Sequence, residues 1–229
     1  MRLPWARTST RMFLSAGALV SLPVFAQAPL VRYAPWVSLV LTLGWLGVSL
    51  HLISLRPYRN WGSLLYGFTL TWLAGSLYWG WLRAEPLWHM PIEAIALPFV
   101  LWGLARGFAR IGNYFFLGSL FGTAITDLYI HTMKLLPFWR QALQPGVSER
   151  EALLLLEGAL EQMQTGVGIA AAIVLSAILW TVGNMGLRFA GDRREDAQLH
   201  WWAFSGAVLF TLLVDGLFAI GVCLGSSRV

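Results

Sequence analysis

Three carboxyl side chains lie within hydrophobic segments of this sequence. The chain has 11 acidic residues, and eight of them fall in hydrophilic segments, whereas Glu93, Asp127 and Asp215 do not. A carboxylate in the hydrocarbon of a bilayer costs about 2.5–3.5 kcal/mol on insertion scales, so it usually faces a partner or a cavity. We therefore predict that these three residues are the catalytic residues of a site inside a membrane.

Two histidines accompany these carboxylates at the spacing of one helical turn. His89 precedes Glu93 by four residues, and His131 follows Asp127 by four. Side chains four residues apart lie on the same face of an α-helix. We expect each histidine to share a face with its carboxylate, although Pro91 is typical of a first helical turn and would then place His89 just before the helix.

Small and polar residues extend the faces that carry the carboxylates. Around Asp127 they recur at every fourth position, beside a notch formed by Gly118 and Gly122 that permits close helix contact. We predict that the segments bearing Glu93, Asp127 and Asp215 meet around a polar pocket. The supporting polar residues are His89, Ser119, Thr123, His131 and Thr211.

These residue types allow three kinds of site. Carboxyl groups in apolar surroundings can divide the roles of acid and base, because burial keeps one protonated while another stays ionised. Two carboxylates and two histidines can instead bind a divalent metal such as iron, manganese or zinc. In the third kind, each carboxyl group is a structural hydrogen-bonding group between helices.

The composition predicts an integral membrane protein. Of the 229 residues, 57% are apolar and only 12% are charged, about half the charged share of a soluble domain. The mean hydropathy is +0.63. The single cysteine excludes an internal disulfide. The net charge of +5 comes from arginines scattered over short loops, which argues against nucleic-acid binding.

Seven hydrophobic segments approach the length of about 20 residues that crosses a bilayer. Since helices satisfy their own backbone hydrogen bonds, we predict an all-α transmembrane bundle that forms a single domain over residues 1–229. The first segment also resembles a secretory signal; we expect it to be retained because Pro29 follows the cleavage-like Ala26–Ala28, and its removal would leave six spans. The predicted spans are 12–28, 36–55, 61–82, 88–105, 111–130, 166–187 and 201–224.

The basic residues predict a cytoplasmic N-terminus. In this orientation ten of the 16 Lys and Arg residues lie on the inner side, as the positive-inside rule requires. The long segment 131–165 is then non-cytoplasmic, and the buried carboxylates fall in the outer half of the membrane. Within that segment, Ser148 and Glu151 form the pattern of a capping box that begins an amphipathic surface helix.

Aromatic residues cluster at the end of the third predicted span and at the start of the fourth. Amphipathic rings of this kind commonly anchor helix ends at the membrane interface. A second reading is that they line a groove for an apolar ligand. The residues are Tyr78, Trp79, Trp81 and Trp88.

Four stretches of the chain carry a family resemblance. They are 72–81 (WLAGSLYWGW), 89–98 (HMPIEAIALP), 118–129 (GSLFGTAITDLY) and 200–218 (HWWAFSGAVLFTLLVDGLF). Together they resemble an uncharacterised cyanobacterial membrane family, domain of unknown function 3120, over nearly the whole chain. The resemblance implies a photosynthetic bacterial membrane, and it implies no particular activity.

A second resemblance is local. Pro91-Ile92-Glu93-Ala94 resembles the Pro-x-Glu-Glu motif of the small membrane-embedded carotenoid cyclases, which protonate the polyene lycopene inside the bilayer. Glu93 matches the first acidic position of the motif, whereas Ala94 departs from the second. What this resemblance implies is a proton-donating role for Glu93 toward an apolar substrate.

The leading hypothesis is a membrane enzyme in which Glu93, Asp127 and Asp215 perform acid–base chemistry on an apolar isoprenoid or lipid substrate. Two alternatives stay open: a non-catalytic scaffold or assembly factor of a photosynthetic membrane complex, and a proton-coupled small transporter. We expect membrane lipid, an apolar small molecule and other membrane proteins as partners, in a bacterial plasma membrane or thylakoid. The residues identify no cofactor.

Overall fold

A computed structural model describes residues 4–144, 146–191 and 198–226. Every regular element in these ranges is a helix, which confirms the all-α prediction. Short π-helical turns cover Pro23–Gln27 and Tyr78–Leu82, and 3₁₀ turns cover Arg56–Tyr58 and Pro86–Trp88. The α-helices are α1 (Pro4–Leu22), α2 (Ala28–Tyr33), α3 (Pro35–Ser54), α4 (Arg59–Leu77), α5 (His89–Glu93), α6 (Leu97–Ala105), α7 (Arg110–Thr132), α8 (Leu136–Ala142), α9 (Glu149–Met163), α10 (Gly166–Gly191) and α11 (Leu199–Ser226).

Several helical stretches are long and apolar enough to cross a membrane, so the chain has the character of a membrane protein. Five are found within the described residues, and the predicted number of seven spans is therefore not confirmed. Helices α4 and α7, which carry the third and fifth predicted spans, are long enough but less apolar. The five stretches are Thr8–Tyr33, Pro35–Ser54, Pro86–Ala105, Gly166–Ala190 and Leu199–Leu217.

The lower hydropathy of α4 and α7 follows from their central position. Eleven residues of α4 are buried within the protein, whereas the peripheral helix α3 buries only three. Small and polar residues make up most of the buried face of α4, because close helix contact favours them over bulky apolar ones.

Helices α4 and α7 cross at very short range. Gly67 and Gly112 face each other there, and a Cβ atom on either one would collide with the backbone of the other helix. The Gly112 amide also donates a hydrogen bond of 3.1 Å to Ser63 Oγ. This crossing fixes α7 against α4, and with it the position of the residues one to four turns further along α7.

The main apolar core lies between α1, α4, α7 and α11. Large rings from α4 and α7 fill it, and small residues of α11 allow the helices to approach. A smaller cluster joins Val100 of α6 to Phe116 of α7. The larger core contains Met12, Ala16, Leu64, Phe68, Trp72, Ile111, Phe115, Leu199, Ala203 and Ala207.

Two short helices follow α7. The predicted amphipathic helix is present as α9, and its capping box is formed: Ser148 Oγ accepts from the Glu151 amide, and the Glu151 carboxylate accepts from the Ser148 amide at 2.9 Å. The hydrogen bonds that the Ser148 amide and the Ser148 hydroxyl donate to the carboxylate lower the pKa of Glu151. The sequence analysis did not predict α8, which packs against α9 through Phe138 and Gly158.

Candidate acid–base site

The centre of the candidate site is a hydrogen bond between His89 and Asp127. The distance from His89 Nδ1 to Asp127 Oδ1 is 2.8 Å. His89 is the first residue of α5, so it lies inside the helix rather than before it, and Asp127 is in the last third of α7. The histidine side chain is 16% exposed and that of the aspartate 9% exposed.

Glu93 lies on the other side of the same imidazole ring. Its Oε1 atom is 3.9 Å from His89 Nε2, which is too far for a direct hydrogen bond but close enough for an electrostatic interaction. The two residues are one turn apart on α5, as the spacing predicts. His89 is thus placed between two carboxyl groups, with one at each ring nitrogen.

This arrangement determines which nitrogen carries the proton in neutral His89. A carboxylate can only accept, so Nδ1–H donates to Asp127 Oδ1 and Nε2 keeps a lone pair directed toward Glu93. A histidine held in this way accepts a proton at Nε2 and becomes a cation stabilised by both carboxylates. Such a histidine can take up a proton at Nε2 and return it to a group within hydrogen-bond reach, which is the requirement for general acid–base catalysis.

Aromatic rings enclose the histidine. The ring centroids of Tyr78 and His89 are 4.4 Å apart, and those of Trp79 and His89 are 6.2 Å apart. Trp139 of α8 has its ring centroid 5.7 Å from that of Trp79. The rings of Tyr78, Trp79 and Trp139 together form an aromatic wall beside His89. Tyr78 and Trp79 begin the π-helical turn that follows α4, and such turns are frequent at functional sites.

Helix α8 is fastened over this aromatic wall by two contacts. The indole N–H of Trp139 donates to the Arg83 carbonyl at 2.9 Å, and Arg140 pairs with Glu85 at 3.0 Å. The ion pair is exposed, so it contributes little to stability by itself. Trp139 is a member of the site that the sequence analysis missed, because no local pattern links it to a histidine 50 positions away.

Residues 16–223 match the family described as "Protein of unknown function (DUF3120)". The chain belongs to this family. The match includes His89, Glu93, Asp127 and Asp215, and it confirms the family resemblance predicted from the sequence. No curated protein and no solved structure matches the chain.

Asp215 of this DUF3120 member is not in contact with the His89 site. Its Oδ2 atom accepts a hydrogen bond of 2.8 Å from Thr126 Oγ1, and the described residues show no bond between Asp215 and His89, Glu93 or Asp127. Thr126 and Asp127 are consecutive on α7, so their side chains point about 100° apart around the helix. Helix α7 therefore presents Asp127 to α5 and Thr126 to α11.

The supporting residues predicted from the sequence are dispersed. His131 is exposed, and its Nδ1 donates to the Asp127 carbonyl at 2.8 Å rather than to the carboxylate. Thr211 donates to Ala207 O at 3.1 Å and packs against Gly122. Ser119 is buried and Thr123 is half-buried, with no side-chain hydrogen bond recorded in the described part of the chain. Of the five, only His89 contacts a predicted catalytic carboxylate through its side chain.

Metal binding is not favoured by this geometry. Within residues 4–144, 146–191 and 198–226, no group of three or more His, Cys, Asp or Glu side chains is arranged to hold a metal ion. His89 already uses Nδ1 for Asp127, and Glu93 lies beside Nε2 of the same ring. The arrangement suits proton transfer better than metal ligation.

Proposed function

We propose that this DUF3120 member is a multi-pass integral membrane protein with seven spans and a cytoplasmic N-terminus. The proposal is supported by the five apolar helical stretches and by the central, enclosed position of α4 and α7, which accounts for their lower hydropathy. The excess of arginine on the predicted inner side supports the orientation. The membrane is a bacterial plasma membrane or a thylakoid.

We propose that the protein is an enzyme that performs acid–base chemistry on an apolar isoprenoid or lipid substrate. The observation that carries this proposal is the 2.8 Å bond between His89 and Asp127, with Glu93 at the opposite ring nitrogen. A carboxylate–histidine pair with a second carboxyl group is unusual between apolar helices, where each ionisable group is costly. The surrounding rings of Tyr78 and Trp79 supply the apolar surface that such a substrate needs.

Each residue of the site has a separate role in this proposal. Asp127 orients the imidazole and stabilises its protonated form, and His89 transfers the proton at Nε2. Glu93, 3.9 Å from Nε2, stabilises the protonated ring and faces the substrate. Asp215, bonded to Thr126, lies outside this chain of groups. Its predicted catalytic role therefore has less support than those of Glu93 and Asp127.

The test is the chemical profile of a strain that lacks the gene. Lipid and pigment extracts of the deletion strain and the wild type are compared by liquid chromatography and mass spectrometry. We expect one apolar compound to accumulate and its product to disappear. Complementation with Glu93→Gln, His89→Gln or Asp127→Asn should fail to restore the product, whereas the control Glu85→Gln should restore it, because the Glu85 side chain is 56% exposed and its ion pair is with Arg140 rather than with His89.

Two outcomes would reject the enzyme in favour of an alternative. If the extracts of the two strains are identical and a large membrane complex is missing, the protein is a scaffold or assembly factor. If the purified protein carries a solute into proteoliposomes in response to a proton gradient, with unchanged extracts, the same three residues serve proton-coupled transport. Full restoration by all three site variants would exclude both the enzyme and the transporter.

A further inference from the structure

Two buried oxygen atoms beside His89 have no hydrogen-bond partner in the described part of the chain. They are Tyr78 Oη and Asp127 Oδ2. Tyr78 is fully buried, and the Asp127 residue as a whole is 6% exposed. The indole N–H of Trp139 lies near the tyrosine hydroxyl, but it is directed to the Arg83 carbonyl at 2.9 Å. Buried polar atoms almost always have a partner, so this pair of atoms calls for one.

The two oxygen atoms belong to groups that surround one imidazole ring. Asp127 uses its other oxygen, Oδ1, for the 2.8 Å bond to His89. The Tyr78 ring packs on the same histidine with a centroid distance of 4.4 Å. Asp127 and Glu93 also lie within electrostatic range of the Tyr78 hydroxyl. The two atoms therefore belong to groups that adjoin the same ring, and one is a hydroxyl that can donate while the other is a carboxylate oxygen that can accept.

We propose that Tyr78 Oη and Asp127 Oδ2 bind the hydroxyl group of an otherwise apolar alcohol. Such an alcohol is the substrate class of the enzyme proposed above, and this inference rests on that proposal. A hydroxyl accepts one hydrogen bond and donates another, so it satisfies the tyrosine and the carboxylate at once. A hydrocarbon satisfies neither group, and a carbonyl oxygen satisfies only the tyrosine. A fatty acid anion is repelled by the Asp127 carboxylate, which accepts from His89.

The apolar nature of the rest of the molecule follows from the surface next to the site. His89 and Glu93 keep 16% and 13% exposure of their side chains, so the site is open on the side of α5. Large exposed apolar side chains stand close to these two residues in the chain: Trp88 is 54% exposed, Ile95 45% and Phe99 65%. In a membrane protein these side chains face lipid tails, so a ligand that reaches His89 along them is apolar over most of its length.

The test measures the preference for a hydroxyl directly. The full chain is reconstituted in phosphatidylcholine nanodiscs, whose lipid carries no free hydroxyl. Two photoreactive probes are compared: a long-chain primary alcohol with a diazirine in its chain, and the hydrocarbon with the same diazirine. We expect the alcohol to reach half-maximal labelling of peptides from α5, α7 and the Tyr78 turn at a concentration about tenfold lower than the hydrocarbon.

A tyrosine variant and its control locate the effect. Tyr78→Phe removes only the hydroxyl, so labelling by the alcohol should fall to the level of the hydrocarbon while labelling by the hydrocarbon stays unchanged. Tyr129→Phe is the matched control, because the Tyr129 hydroxyl bonds to Gly168 O at 3.4 Å, outside this site. Equal labelling of the wild type by both probes overturns the proposal, and it does so without any variant. A preference for the alcohol that survives in Tyr78→Phe also overturns it. If the site holds only a water molecule, the two probes label the wild type equally.

The two proposals fail in different ways. If the wild type prefers the alcohol but the extracts of the deletion strain are unchanged, the binding site stands and the enzyme does not. If the deletion strain accumulates a pure hydrocarbon and both probes label equally, the enzyme stands and its substrate is not an alcohol.

Discussion

Two buried polar clusters lie between the helices of this chain, and they differ in the chemistry of their side chains. One joins Gln27, Ser38 and Ser76 at the meeting point of the first π-helical turn, α3 and α4. The other joins His89 to Asp127 between α5 and α7. Both are largely buried, and each contains an oxygen atom with no hydrogen-bond partner among the described residues: Gln27 Oε1 in one and Asp127 Oδ2 in the other. Burial alone does not distinguish them.

The difference is that only the second cluster can change its charge. Amide and hydroxyl groups do not titrate in the physiological range, whereas His, Asp and Glu do. Gln27 Nε2 donates to the Trp72 carbonyl at 2.6 Å and to Ser76 Oγ at 2.8 Å, and Ser38 and Ser76 share a bond of 2.8 Å. We infer that the Gln27 cluster fixes the packing of three helical segments, while the His89 cluster carries the chemistry.

Removal of the Gln27 amide tests the packing role of the Gln27 cluster. Gln27→Leu leaves the Trp72 carbonyl and the serine hydroxyls without their shared donor, in a place where Gln27 is fully buried. Interhelical hydrogen bonds in membranes contribute about 0.6 kcal/mol each on average and up to about 1.7 kcal/mol, so we expect a loss of about 1–3 kcal/mol in the free energy of unfolding. Unfolding by sodium dodecyl sulfate in mixed micelles, followed by tryptophan fluorescence, measures it.

Asp127→Asn is the counterpart in the other cluster. The amide keeps the shape of the side chain and can still accept from His89, so the unfolding free energy should fall by less than in Gln27→Leu. Complementation of the deletion strain should rank the two variants in the opposite order. Gln27→Leu should restore the product at a growth temperature at which it stays folded, whereas Asp127→Asn should not restore it. The same ranking of the two variants in both measurements would remove the distinction between a packing cluster and a reactive one.

The sequence predicts the reactive cluster better than the packing cluster, for a physical reason. A carboxylate in an apolar segment is conspicuous, and the spacing of His89 and Glu93 places them on one turn, as the structure has them. Gln27 and the two serines are compatible with any helix, and their proximity depends on how three separate segments pack. No periodicity within one segment contains that information.

The same limit explains why the sequence does not predict the partner of Asp215. The depth of Asp215 in the seventh predicted span indicates a place beside Asp127, but depth does not determine which side of α7 this residue meets. The structure places it against Thr126, which is one residue and about 100° away from Asp127. Helix rotation, which is set by contacts such as Gly67 with Gly112, separates the two carboxylates.

Thr126→Val tests whether Asp215 belongs to the packing or to the chemistry, and its expected effect is of intermediate size. It removes the donor of the 2.8 Å bond to Asp215 and keeps the size of the side chain. We expect the free energy of unfolding to fall by about 1 kcal/mol, since a single interhelical bond is lost, and complementation to remain intact. A loss of product with normal stability would instead place Asp215 in the chemistry, and Asp215→Asn would then have to show the same loss.

The smallest effect is expected outside both clusters, at the exposed pair of Arg140 and Glu85. The two side chains are 42% and 56% exposed and 3.0 Å apart. Because water and salt screen such a pair, Arg140→Gln should change the free energy of unfolding by less than about 0.5 kcal/mol. High salt should abolish even this difference, whereas it should not alter the effect of Gln27→Leu.

A double-variant cycle isolates the pair from other contacts of α8. If the ion pair is the whole contribution, Arg140→Gln, Glu85→Gln and the double variant all lose the same small amount. The indole of Trp139 keeps its 2.9 Å bond to the Arg83 carbonyl in each of them, so α8 stays over the aromatic wall and complementation is retained. A large loss of product in Arg140→Gln, with unchanged stability, would show that this exposed contact controls access to His89. The reactive cluster would then include the pair of Arg140 and Glu85.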